Sequence, residues 1–274
     1  MTDSPPAPRP RGRPRAFHDK TEQNTVQSLD RAMRLLRLLS DSAGLTLSEL
    51  AQQAGQSPAT VYRVLVTLQG HGMVEIEEPG QLWHVGPGSF RIGSAFLRRT
   101  KVAERARGRM QALMRATGET ANLGIESRDE VLFLAQVETH EAIRAFFPPG
   151  TLSPMHVSGI GKALLAWLPE DRVREIAAHR GLERFTPRSL TSLAALMDDL
   201  ATTRARGYAV DDQEKAEGMR CIAAPIFNAY REPVAGLSVS GPTFRMGLED
   251  ADRIGAQVVE AAAAVTEAIG GVRP

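Results

Sequence analysis

Two stretches carry residues suited to more than packing. Ser158-Gly-Ile-Gly161 opens a helical run with almost no side-chain bulk, so the N–H groups of Gly159 and Ile160 can hold a carboxylate at a helix N-terminus. Ser238 and Ser240 lie two apart in a strand-like run, so their hydroxyls point the same way and can donate to one anion. The second stretch, Gln56 to Gly70, has Ser57 as an N-cap and Pro58 at the first helical position. Val61, Val64, Leu65 and Leu68 form one apolar stripe, leaving Ser57, Ala59, Thr60, Arg63 and Thr67 on the opposite face. Short or hydrogen-bonding groups beside a helix N-terminus suit close approach to base edges in a DNA major groove. The plain alternatives are core serines, ordinary glycines and a solvated helix face.

The chain has 274 residues, a net charge of +1, 42% hydrophobic and 24% charged residues, and one cysteine, Cys221. Such a chain predicts two domains, and any nucleic-acid surface must be local because the global charge is near zero. A single cysteine excludes an internal disulfide and fits a reducing cytoplasm, near the nucleoid for a DNA-binding protein. Six scattered histidines give no metal-ligand spacing, so neither a metal nor a cofactor is expected. No run approaches membrane-spanning length and no apolar signal core is present. Cys221 as a nucleophile with His156 as base is the enzymatic alternative; no paired local motif favours it, and the chain is not expected to be an enzyme. A nonspecific architectural DNA binder is a third alternative, opposed by the charge balance.

The positioning elements follow in order. Residues 1–25 are rich in Pro and Arg and are expected to be disordered. They contain Pro10-Arg11-Gly12-Arg13-Pro14, similar to an AT-hook core, in which Arg11 and Arg13 would enter a narrow A·T minor groove. Residues 26–86 read as a winged helix-turn-helix. Leu29, Ala32, Met33, Leu36 and Leu39 mark a first helix; Thr46-Leu-Ser-Glu49 is a capping box for a second, stopped by Gly55; the stretch from Ser57 is the third. Strand-like Val74–Glu77 and Leu82–Val85 form a hairpin around Pro79-Gly80, with Trp83 either packing it on the helices or serving as a wing-tip contact. Thr46, Ser57, Ala59, Thr60, Tyr62 and Arg63 are the candidate DNA contacts of this domain.

Gly86-Pro-Gly88 breaks the chain, and residues 87–102 contain a linker helix from about Ser89 to Lys101. In residues 103–274, helices are expected near Glu104–Thr117, Gly159–Trp167, Glu170–His179, Ser192–Arg206 and Leu248–Ile269. Strands are expected at Ala121–Glu126, Val131–Val137, Ile143–Phe147, Tyr208–Val210, Ile222–Asn228 and Val234–Ser240. This is an α+β pattern: an antiparallel sheet with helices on one side.

The motifs Leu45–Gly55 and Ser57–Leu65 resemble the winged helix of the IclR family of bacterial transcription regulators. Trp83–Gly86, Gly118–Leu123, Pro154–Leu165, Gly207–Asp212, Gly218–Phe227 and Leu237–Pro242 extend the likeness from about Val26 to Gly271. It resembles most the acetate-operon and allantoin-pathway repressors, whose effector is glyoxylate. The resemblance implies a GAF-like effector domain and a dimer, or dimer of dimers, joined partly through linker helices and reading a promoter palindrome. It also implies an effector pocket holding Asp211, Met219 and Cys221 with Gly159, Ile160, Ser238 and Ser240. Asp211 beside an anion makes sense if the ligand also carries hydroxyls, as hydrated glyoxylate does. The sequence departs from these relatives at Ile160, where Ala is common, and at Ala142, Ala145 and Ser153, where larger aliphatics occur. Either bulk is exchanged across the pocket or the acid differs, pyruvate being the alternative.

Overall fold

The structure, a computed structural model, describes residues 25–78, 81–99 and 101–274, with residues 96–99 described by backbone alone. The AT-hook-like Arg11 and Arg13, and the hairpin tip Pro79-Gly80, lie outside the described residues. The chain divides into two compact units between Phe96 and Leu97. Among the described residues no helix is long and apolar enough to cross a membrane.

The first unit opens with α1 (Gln27–Ser40), α2 (Leu47–Ala54) and α3 (Pro58–Gly70). Thr46 closes the capping box: its Oγ1 accepts from Glu49 N at 3.3 Å, and its own N–H donates to Glu49 Oε2 at 2.8 Å. Gly55 ends α2 at φ 63°, the left-handed conformation that releases the chain into the tight turn before α3. Hydrogen-bonded β1 (Val74–Glu77) and β2 (Leu82–Val85) follow. Trp83 is buried and exchanges two backbone hydrogen bonds with Leu45 at 2.8 and 3.1 Å, fastening the hairpin to the helices. In α1 the buried positions are Leu35 and Leu39, while Leu29 and Met33, expected on the apolar stripe, are exposed. The expected break at Gly86-Pro-Gly88 is instead the start of α4 (Pro87–Arg99), with Pro87 at its first position.

In the second unit α5 (Val102–Thr117) precedes β3 (Thr120–Ser127), β4 (Glu130–Val137) and β5 (Leu152–Pro154). A 3-10 turn leads into α6 (Gly159–Leu165), α7 (Glu170–Arg180) and α8 (Leu193–Arg206). β6 (Ala209–Asp212), β7 (Met219–Phe227), β8 (Pro233–Pro242) and α9 (Ala251–Ala268) complete it. The sheet order is β5-β4-β3-β8-β7-β6, every pairing antiparallel.

Strand alternation sorts the residues of this sheet. Leu237, Val239, Ile222, Ala224 and Ile226 pack against α5 and α9. Ala223 and Phe133 pack against α6, α7 and α8 on the other face. Helices therefore cover both faces, not one as expected, because strands buried on both sides have apolar residues at odd and even positions alike. Residues Ile143–Phe147, expected as a strand, are irregular; the edge strand is the short Leu152–Pro154. The Ile143 carbonyl accepts from Arg245 at 2.7 Å, and Phe147 stacks on Phe133 with ring centroids 4.9 Å apart. Those contacts hold the segment by side chains where a ladder would use its backbone.

Candidate nucleic-acid interface and ligand cavity

In the first unit, α3 buries Val61 and Leu65 and half-buries Val64 and Leu68. Ser57 caps it, its Oγ accepting from Thr60 N at 3.3 Å and lying 2.9 Å from Thr60 Oγ1. Ser57, Ala59, Tyr62 and Arg63 are exposed and Thr60 is half-buried, so all five sequence candidates on α3 stand on its open side or at its rim. Thr46 is committed to the capping box of α2, which leaves it a positioning role. Val66 was not singled out from sequence, yet it is exposed one turn beyond Tyr62, where an apolar group can meet a thymine methyl. Its signal was a β-branched residue off the buried stripe. The hairpin carries exposed Glu75, Glu77 and Glu78, an acidic surface that does not favour phosphate.

In the second unit, one narrow cavity has a volume of about 20 Å³. Gly159, Ile160, Asp211, Cys221 and Ser240 line it, along with Ser153, Lys215 and the Phe133–Phe147 stack. The antiparallel register explains the convergence. Asp211 pairs with Cys221, Cys221 with Ser240, and Ala223 with Ser238. Ser238 is buried on the same face as Ser240 but is not among the residues that line the cavity. Met219 shares that face at the strand end and does not line the cavity; neither do Ala142, Ala145 or Met155.

Close approach of α6 to the sheet requires its glycines. A Cβ on Gly159 would sit 2.6 Å from Cys221 Sγ, and one on Gly161 would strike the Met155 backbone at 2.3 Å. Ile160 fills the space left by Gly236, where a Cβ would lie 2.6 Å from its Cγ2. Ser158 Oγ caps α6, accepting from Gly161 N at 3.3 Å.

Asn122 was missed as a functional residue. Its Nδ2 donates to Ser240 Oγ at 3.3 Å and Ser238 Oγ at 3.5 Å, while Gln136 Nε2 donates to its Oδ1 at 3.0 Å. Asn122 thereby holds the two serine hydroxyls beside the Cys221 thiol, which both of them and the Gly159 N–H hydrogen-bond.

Charge is unevenly shared below the cavity. Lys162 of α6 is fully buried; its Nζ donates to Val210 O and Glu214 Oε1, both at 2.6 Å, and pairs with Asp199 Oδ2 at 3.2 Å. Asp211 accepts from Glu214 N at 2.8 Å. Burial pushes the Asp211 carboxyl up to about 6 against that hydrogen bond and the Lys162 charge, and it pushes Glu214 up to about 7. Three carboxylates thus face one ammonium. The cluster was hidden because its members are far apart in sequence.

The thiol of Cys221 is crowded within the cavity wall, and burial pushes it up to about 11, with the Asp211 charge adding to the effect. His156 is turned away, its Nε2 3.0 Å from the Glu183 carbonyl, and burial lowers its affinity for a proton. A neutral thiol with His156 turned away does not make the activated Cys–His pair that the enzymatic alternative needs.

The IclR helix-turn-helix domain model matches residues 28–78, and the model described as bacterial transcriptional regulator IclR C-terminal matches residues 94–267. The HTH-type transcriptional regulator BhcR of Paracoccus denitrificans is 53% identical over 254 residues, covering 93% of this chain and 91% of that protein. The transcriptional repressor IclR of Escherichia coli is 40% identical over 272 residues, covering 98% and 99%. The crystal structure of an IclR homolog from Microbacterium hydrocarbonoxydans complexed with 4-hydroxybenzoate matches with a TM-score of 0.78 and 25% identity, over 89% of this chain and 99% of that one. These relatives regulate transcription and are not enzymes, which removes the Cys221 nucleophile alternative. With its three-helix unit, its sheet domain and these matches taken together, the chain belongs to the IclR family of bacterial transcriptional regulators.

Proposed function

We propose that this regulator senses a small 2-oxo acid, glyoxylate, in the cavity between α6 and the sheet, and that it binds a promoter palindrome as a dimer or tetramer controlling carbon metabolism. The observation that carries the reading is the meeting of Gly159, Ile160, Asp211, Cys221 and Ser240 around one cavity. In this reading the N–H groups of Gly159 and Ile160 and the hydroxyl of Ser240 supply donors for a carboxylate, with Ser238 held beside Ser240 by Asn122. In this reading Asp211 accepts from the two hydroxyls of the hydrated aldehyde, an interaction that an acid without hydroxyls cannot make. The relative holding 4-hydroxybenzoate, itself a carboxylate, supports an acid as the ligand class.

Ser57, Ala59, Thr60, Tyr62 and Arg63 form the DNA-reading surface in this proposal, with Thr46 positioning α2 beside them, and two such helices about one DNA turn apart read the palindrome. Arg11 and Arg13 add minor-groove contacts at flanking A·T tracts. The effector acts because it binds two arrangements of the dimer unequally, which changes the spacing of the reading helices through the linkers.

Calorimetric titration of the full chain with glyoxylate, then pyruvate, tests the ligand. Saturable binding of glyoxylate, lost in the Ser238→Ala, Ser240→Ala double variant, is the expected result. Tighter binding of pyruvate would move the assignment to that acid, and undiminished binding by the double variant would remove the serines from the site.

A further inference from the structure

We infer that Lys215 is the specificity-determining cation of the cavity, the group that selects an anionic effector over a neutral one; this rests on the carboxylate reading above. The surroundings need such a group. Asp199, Asp211 and Glu214 outnumber Lys162, and the Lys162 ammonium is already engaged by Val210 O, Glu214 and Asp199 with its side chain fully buried. Lys162 therefore cannot turn toward a ligand. An anion entering the cavity meets an acidic interior offset only by backbone and hydroxyl donors.

Among the described cavity-lining side chains, Lys215 is the cation. It stands on the loop joining β6 to β7, where Asp211 accepts from the Glu214 N–H at 2.8 Å and anchors the chain at the cavity wall. Its Nζ lies 3.4 Å from the centroid of the Phe185 ring, and it belongs to no ion pair among the described residues. A ring face attracts an ammonium without consuming its three N–H donors in fixed hydrogen bonds. The result is a half-buried, partly desolvated positive charge, its donors uncommitted, beside a small polar cavity. Such a charge strengthens a hydrogen bond to a carboxylate and leaves an uncharged analogue no comparable gain.

The test is calorimetric titration of the full chain with glyoxylate for the wild type and for Lys215→Met, Lys215→Gln and Lys215→Arg, with unliganded melting temperatures measured alongside. Loss of one charge-assisted hydrogen bond predicts that Met and Gln raise Kd by about 10- to 100-fold, with Arg remaining within about threefold of wild type. Melting temperatures should agree across the set, since the charge serves the ligand and not the fold. Met and Gln variants that bind as tightly as wild type would overturn the role of Lys215 and leave the cavity assignment standing. An Arg variant as weak as Met would overturn selection by charge. A wild type that binds neither glyoxylate nor pyruvate would overturn this inference together with the carboxylate reading.

Discussion

Gly159 and Cys221 approach so closely that a methyl group on the glycine would lie 2.6 Å from the sulfur and 3.3 Å from its Cβ. The contact brings the start of α6 against β7 and sets one wall of the cavity. Gly159→Ala must push the helix off the strand. Overpacking of this kind predicts a loss of about 1–3 kcal/mol in urea unfolding, with loss of glyoxylate binding. Cys221→Ala in the same chain removes the sulfur and should restore most of the stability. Equal losses in the single and double variants would show that the sulfur contact is not the constraint.

Lys162 pairs with Asp199 and Glu214 and lies near Asp211. Lys162→Met leaves Asp199, Asp211 and Glu214 without their shared cation. Breaking a buried ion pair from one side costs about 3–5 kcal/mol, and chemical denaturation should read a loss in that range. Measured at pH 8, where both raised carboxyls are ionised, a loss below about 1 kcal/mol would mean that Lys162 does not hold the cluster.

The same cluster gives stability a definite dependence on pH. Asp211 and Glu214 hold their protons up to about 6 and 7 in the folded chain, above their ordinary 3.8 and 4.5. The folded state thus binds more protons than the unfolded state in that window, so this contribution to stability is complete below about pH 4 and is lost as pH rises toward 7. Glu214→Gln keeps an oxygen for Lys162 and removes one titrating group. Urea unfolding from pH 5 to 8 should show the variant gaining on wild type as pH rises; parallel curves would contradict the assignment.

Arg63 tests the reading face of α3. A side chain that contacts base edges predicts that Arg63→Ala loses about 1–3 kcal/mol on the specific operator, with little change on random DNA. Fluorescence anisotropy on both duplexes separates the cases, since equal loss on each would make Arg63 a phosphate contact.

Legibility in the sequence followed the range of the signals. Thr46 to Glu49, Gly55, and Ser57 to Pro58 are local and chemically specific, so α2 and α3 were readable to within a residue or two. The alternation of Ser238 and Ser240 placed both on one sheet face, as the register requires. Ile143, Ala145 and Phe147 alternate in the same way and do not pair, because the Arg245 contact and the Phe133 stack hold that segment and neither is local. Leu152–Pro154 is too short and too close to proline to announce a strand. Lys162 and Lys215 look like solvated lysines in sequence. Their meaning depends on Asp199, Glu214, Phe185 and the cavity, which meet only after the sheet has formed.

The central claim is that one chain reads DNA with its first unit and answers to a small acid through its second. Anisotropy of labelled DNA from its own upstream region, titrated with the full chain and then with glyoxylate at fixed protein, tests both halves at once. The account predicts saturable binding to that DNA and a shift in its affinity of about 5- to 150-fold on adding the acid, the usual range of coupling between sites. Affinity for the upstream DNA that is unchanged by glyoxylate, pyruvate and related short acids alike would contradict it.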